Sequence, residues 1–182
     1  MDTIIDLIGA AVIAGIVMIG IANLNIYSSQ IRFKSNSDLH LQQDAKTIAD
    51  ILDNDMRKIG YGYSGTSIIT ADSQEIKFYA DIDSNNVVDQ VEYVLSDTSD
   101  VSYTENPSDR ILYRIVNGDT SKGPSLGITK LRFTYKNLLG NVTTVLDSIK
   151  YIKAEIWVQS PEPVNEKYIF TYWEMTINPR NL

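Results

Sequence analysis

The stretch Ile4–Ile5–Asp6–Leu7–Ile8–Gly9–Ala10–Ala11–Val12–Ile13–Ala14–Gly15–Ile16–Val17–Met18–Ile19–Gly20–Ile21–Ala22 decides how this chain is organised. Asp6 is its only charged residue, and Leu7 to Ala22 is unbroken apolar or Gly. As a helix it measures about 28 Å at ~1.5 Å per residue, close to the ~30 Å hydrocarbon core of a bilayer. It is longer than the apolar part of a secretory signal, and no basic residue precedes it, so the pattern predicts a retained helix rather than a cleaved signal. Gly9, Gly15 and Gly20, with Ala10, Ala11, Ala14 and Ala22, interrupt the bulky side chains. Small residues let helices approach closely in lipid or in a dry bundle. A plain signal anchor is the blander reading, since Gly is frequent in membrane helices.

A carboxylate inside an apolar segment is costly and calls for a partner. For Asp6 the nearest partner type is a chain-terminal amine, its own or a neighbour's. Such a pair adds little stability but sets register, because an unpaired charge is penalised. Alternatively, Asp2 and Asp6 favour the positive end of the helix dipole.

The helical pattern continues beyond the apolar stretch. Leu41, Ala45, Ile48, Leu52, Met56 and Ile59 recur at helical spacing and predict one buried face, with Asp44, Lys46, Asp50, Asp53, Arg57 and Lys58 on the others. Gly60 ends the block, with basic residues in the last turn. Residues 3–59 are therefore expected as one rod, about 85 Å long if continuous at ~1.5 Å per residue. Ser35–Asn36–Ser37 is the place where it would bend or break. After it come short strand patterns at Ile76–Ala80, Val91–Leu95, Ile111–Val116, Ile128–Tyr135, Val142–Leu146, Tyr151–Gln159 and Tyr168–Ile177. Asn117–Gly118 and Leu139–Gly140–Asn141 supply turns. The expected fold is α+β: a long hydrophobic N-terminal helix packed by its C-terminal half on an antiparallel β-sheet head. The parts are 1–26, an apolar membrane or filament-core helix; 27–60, its amphipathic continuation; and 61–182, the β-rich head.

The net charge of −7 and the lack of a Lys/Arg run argue against nucleic acid as a partner. There is no Cys and a single His, His40, so thiolate metal sites, zinc catalysis and Cys/His nucleophiles are unsupported. Gly60–Tyr61–Gly62–Tyr63–Ser64–Gly65 lacks the strand-before, helix-after setting of a phosphate loop and reads as the turn from helix to sheet. Asn141–Val142–Thr143 fits a glycosylation sequon and reads as a turn entering a strand. No enzyme is read from the sequence.

An apolar start with an early acidic residue, a long helix and a β-rich head together resemble the type IV pilins and the pseudopilins of type II secretion. Within them, Ile26–Tyr27–Ser28–Ser29–Gln30, Leu41–Gln42–Gln43–Asp44–Ala45 and Asp55–Met56–Arg57–Lys58–Ile59–Gly60–Tyr61 look like the large minor pilins of the PilW and GspJ kind, as does the ending Ile177–Asn178–Pro179–Arg180–Asn181–Leu182. The resemblance covers residues 2–62 and extends to the head by architecture alone. It implies a subunit held in the inner membrane by a single pass, then assembled with copies of itself or related pilins into an extracellular or periplasmic filament by inner-membrane machinery. On this resemblance Asp2–Thr3–Ile4–Ile5–Asp6–Leu7 matches the mature pilin start, and Asp6 takes the place of the acid that neutralises a neighbour's N-terminus. Asp6 replaces the usual Glu and Asp2 the usual Phe. Met1 stands where a leader Gly would end, so either Met1 begins the mature chain or the chain is not processed, and N-methylation rests on the same point. The rival readings are a signal-anchored extracytoplasmic binding protein and a minor subunit that primes or caps a filament.

Asp81, Asp83, Asn85, Asp89 and Glu92 place side-chain oxygens at positions 1, 3, 5, 9 and 12 of a twelve-residue loop, with the Val87 carbonyl at position 7. This is EF-hand spacing, and hard oxygen ligands suit Ca²⁺. Asn86 replaces the usual Gly, which Asn can do in left-handed backbone. The alternative is an acidic turn without metal, for Asp and Asn are ordinary turn residues.

Overall fold

The computed structural model describes residues 2–122, 127–163 and 166–182, with Asp2 and Lys122 described by their backbone alone. The chain forms two compact units, residues 1–37 and 38–182. Helix α1 runs Asp2–Arg57 and belongs to both. The helix includes Ser35–Asn36–Ser37, where the unit boundary also falls.

In the second unit α1 buries the face its spacing predicts. Leu41, Ala45, Ile48, Ala49, Leu52 and Met56 are all buried. Their partners come from two antiparallel sheets. One has five strands in sequential order: β1 Ile68–Ala71, β2 Glu75–Ala80, β3 Asp89–Leu95, β4 Leu112–Val116 and β5 Asp119–Lys122. The other joins β6 Ile128–Lys136, β7 Tyr151–Gln159 and β8 Phe170–Ile177. Alternation places Ile76, Phe78, Val91 and Tyr93 from the first sheet, and Leu131, Phe133, Ile152, Ala154, Ile156 and Val158 from the second, in one core with the helix. The fold is thus α+β, with the helix packed on antiparallel sheets.

The helix exit needs Gly60. Its φ is +80°, and a Cβ there would lie 2.8 Å from both the Asn181 carbonyl oxygen and Ser67 Oγ. The Gly60 N–H donates to Tyr79 O at 2.9 Å, tying the exit to β2. Three elements depart from the sequence patterns, and the helix ends at Arg57, two residues short of the expected Ile59. Val142–Leu146 is not a strand: Val142 makes one bridge with Lys136, and Leu146–Ser148 is a 3-10 turn. Asn137 Oδ1 accepts the N–H groups of Leu139 and Asn141 and closes a loop there. Leu138, Leu139, Val142 and Val145 stay exposed, so no core face rewards an extended strand. Strands β1 and β5 are additional to the expected set. The polar β5 forms because Asn117 (φ +52°) and Gly118 (φ +91°) make a tight turn that returns it against β4.

Candidate functional site: the apolar helix surface and the acidic loop

In the first unit, thirteen large apolar side chains from Ile4 to Ile26 are exposed by between 53% and 71%. None of the apolar membrane-length window is buried within the chain. Covering one such side chain yields about 1.5–3 kcal/mol, so thirteen represent on the order of 20–40 kcal/mol as an upper bound. An exposed apolar surface of this size is rare on a water-soluble monomer and marks a membrane or protein interaction surface in general. The helix is long and apolar enough to cross a membrane.

Asp6 is exposed within this surface and pairs with no described residue. The Asp2 side chain lies outside the described residues. A Cβ added at Gly9, Gly15 or Gly20 meets nothing within 4 Å, so no contact among the described residues calls for Gly there. At about 100° per residue, Gly9 and Gly20 share one face, and Gly15 lies about 120° round, in line with Ala11 and Ala22. Ala11 and Gly15 are four apart, the small-xxx-small spacing of close helix pairs.

In the second unit, the loop between β2 and β3 brings together Asp81, Asp83 and Asp89. Their ligand oxygens lie within 4.8 Å of one another. All six carboxylate oxygens accept a hydrogen bond. Asp81 takes the N–H groups of Asn85 (3.1 Å) and Asn86 (2.9 Å), and Asp83 takes Asn85 N (3.2 Å) and Asn85 Nδ2 (2.9 Å). Asp89 takes Ile82 N (3.2 Å) and Asn117 Nδ2 (2.7 Å). Left-handed backbone at Ser84 (φ +62°) and Asn86 (φ +66°) turns these N–H groups inward. Val87 is exposed, and its N–H donates to Asn85 Oδ1. Glu92 is not in the cluster. It lies in β3 opposite Lys77 of β2 and pairs with that ammonium at 2.8 Å. The loop therefore converges three carboxylates, with Asn85 beside them, but not the twelfth-position acid of the expected spacing.

Two charged groupings are legible only in three dimensions. Asp55, buried on α1, receives Tyr93 Oη at 2.5 Å and Arg114 Nε at 2.7 Å. Tyr93 and Arg114 face one another across β3 and β4. Burial first, then the Asp55 charge, push the Tyr93 phenol well above its ordinary value, so it stays a donor. The signal in the sequence was a carboxylate between Leu52 and Met56 on the apolar face. On the outer side of the three-stranded sheet, Arg132 holds Glu155 with two bonds of 2.7 and 2.8 Å. Lys130 lies over the Trp157 ring at 4.7 Å, and Trp157 packs on Tyr172 at 5.1 Å. Burial opposes the Glu155 charge, but Arg132, Tyr172 and Lys153 hold its carboxyl below the ordinary range. His40 is exposed, as its sequence setting predicts.

No protein-family model, no curated protein and no solved structure matches the chain.

Proposed function

We propose that this chain is a structural subunit of a pilus-like or pseudopilus filament. It waits in a membrane as a single-pass protein and assembles with copies of itself through residues 3–26. The carrying observation is the apolar helix surface, exposed on all sides in the single chain and continuous in the same helix with residues of the head core. A bilayer covers that surface before assembly, and neighbouring helices cover it afterwards. The small residues on two faces support close helix contacts, and the lone Asp6 supports a polar partner supplied by a neighbour. Assembly machinery in the inner membrane completes the reading. A hard cation held by Asp81, Asp83 and Asp89 belongs to it as a ligand that stiffens the head.

The test is to shear cells that express the chain and to follow it in high-molecular-weight fibres. Recovery in fibres, and its loss in Asp6→Ala, is the expected result. Retention of the chain in detergent-soluble membrane alone would instead identify a signal-anchored binding protein, and fibres that form normally without Asp6 would remove that residue's role.

A further inference from the structure

The segment that follows the 3-10 turn Thr98–Val101 and leads into β4 holds two buried polar side chains, Asn106 and Asp109, that the filament reading does not use. Asp109 is 3% exposed, and its Oδ1 has no hydrogen-bond partner among the described residues. Its carboxylate faces the Thr104 hydroxyl. That hydroxyl also lies 3.1 Å from Val101 O and 3.3 Å from Asn106 O. A threonine hydroxyl carries one hydrogen, yet three oxygen acceptors surround this one. Each main-chain oxygen already accepts an N–H, Val101 O from Thr104 and Asn106 O from Asp109, and keeps a second lone pair.

Among the described residues no cation pairs with the Asp109 carboxylate. The neighbouring Arg110 is turned away: its Nη1 donates to Ser96 O at 3.0 Å and lies 3.9 Å from Asp97. The oxygens are also held in place. Asn106 Nδ2 donates to Gln159 Oε1 and Ser160 O, its Oδ1 accepts Ser108 N, and Tyr168 Oη donates to Glu105 O. A buried carboxylate without a countercharge is costly, and a bound water or ion is one way an orphaned buried oxygen such as Oδ1 is satisfied in native folds. A cation uses the lone pairs of all these oxygens at once, where one hydrogen cannot.

We propose that residues 101–109 form a cation site, in which the Asp109 carboxylate, the Thr104 hydroxyl and the main-chain oxygens of Val101 and Asn106 hold one monovalent hard cation of the sodium kind. A single carboxylate balances a single positive charge. This separates the site from the three-carboxylate loop at 81–89, whose charge suits a divalent ion.

The experiment is thermal unfolding of the full chain in detergent, exchanging tetramethylammonium for sodium at constant ionic strength. Sodium at ten times its dissociation constant raises the midpoint by about 3–5 °C. The shift vanishes in Asp109→Asn, shrinks in Thr104→Val, and persists in Asp83→Asn. Thr104→Val serves should Asp109→Asn fail to fold, since it keeps the charge and removes one ligand. No sodium shift in the unaltered chain overturns the site, and so does a midpoint that responds to acid instead, which places a proton on Asp109. A sodium shift that survives in both Asp109→Asn and Thr104→Val also overturns it, by placing the ion elsewhere.

Discussion

Replacing Asp55 by Ala tests how the head holds its part of the helix. The carboxylate is buried and takes two short bonds, 2.5 Å from Tyr93 and 2.7 Å from Arg114. Removing it strands a guanidinium whose side chain is 26% exposed beside a phenol that is 1% exposed. Breaking one partner out of a buried pair costs about 3–5 kcal/mol. In a unit of this size that lowers the unfolding midpoint by roughly 10 °C. The assay is denaturant and thermal unfolding of the full chain in detergent, followed by circular dichroism. The penalty is mostly the orphaned charge, so Asp55→Leu combined with Arg114→Met and Tyr93→Phe should recover most of it. A loss below about 1 kcal/mol in Asp55→Ala would refute the reasoning, because it would mean that water reaches Arg114 without cost. A triple variant as unstable as the single one would refute it differently, by locating the cost in the lost volume.

Gly15→Leu meets open space in the single chain and should leave the head's unfolding unchanged while abolishing recovery in sheared fibres; normal fibres would exclude close helix packing at that face. Gly60→Ala should cost at least about 1–2 kcal/mol from left-handed backbone alone, with crowding against Asn181 added, as measured by denaturant midpoint. Glu155 and Glu174 are both held below the ordinary carboxylate range, Glu155 by Arg132 against the cost of burial and Glu174 by the Tyr172 hydroxyl first. A lowered folded value gives stability that is complete above the unfolded value of about 4.3 and is lost as pH falls through the folded one. The acid limb of the stability curve should therefore flatten in Glu155→Gln. Calcium should raise the unfolding midpoint of the chain and lose that effect in Asp81→Asn; an unchanged midpoint on titration removes the ion from the 81–89 loop.

The long helix, its buried stripe and the antiparallel head could be read without coordinates, because each is a local periodicity that burial enforces. Leu41, Ala45, Ile48, Leu52 and Met56 needed only helical spacing, and Val91, Tyr93 and Leu95 only alternation; Ile59 is buried from the turn after the helix. The apolar run from Ile4 likewise stands exposed along its length, since nothing in its own sequence can cover it. Pairing decided the remainder. A polar segment at Asp119–Lys122 became a strand because its turn returns it to β4, and the apolar Val142–Leu146 did not because Asn137 closes a loop there and no core lies beneath. Glu92 had the spacing of a metal ligand, but a strand register set it opposite Lys77 and spent its charge there. Asp55 with Arg114, and Asp109 with Thr104, depend on which oxygens and cations the folded chain brings within bonding distance. Sequence alone determined the periodic surfaces of this protein, since hydrophobic burial reads neighbours along the chain. Tertiary structure decided its charged sites, since a charge is stabilised by whatever partner lies within a few ångströms in space.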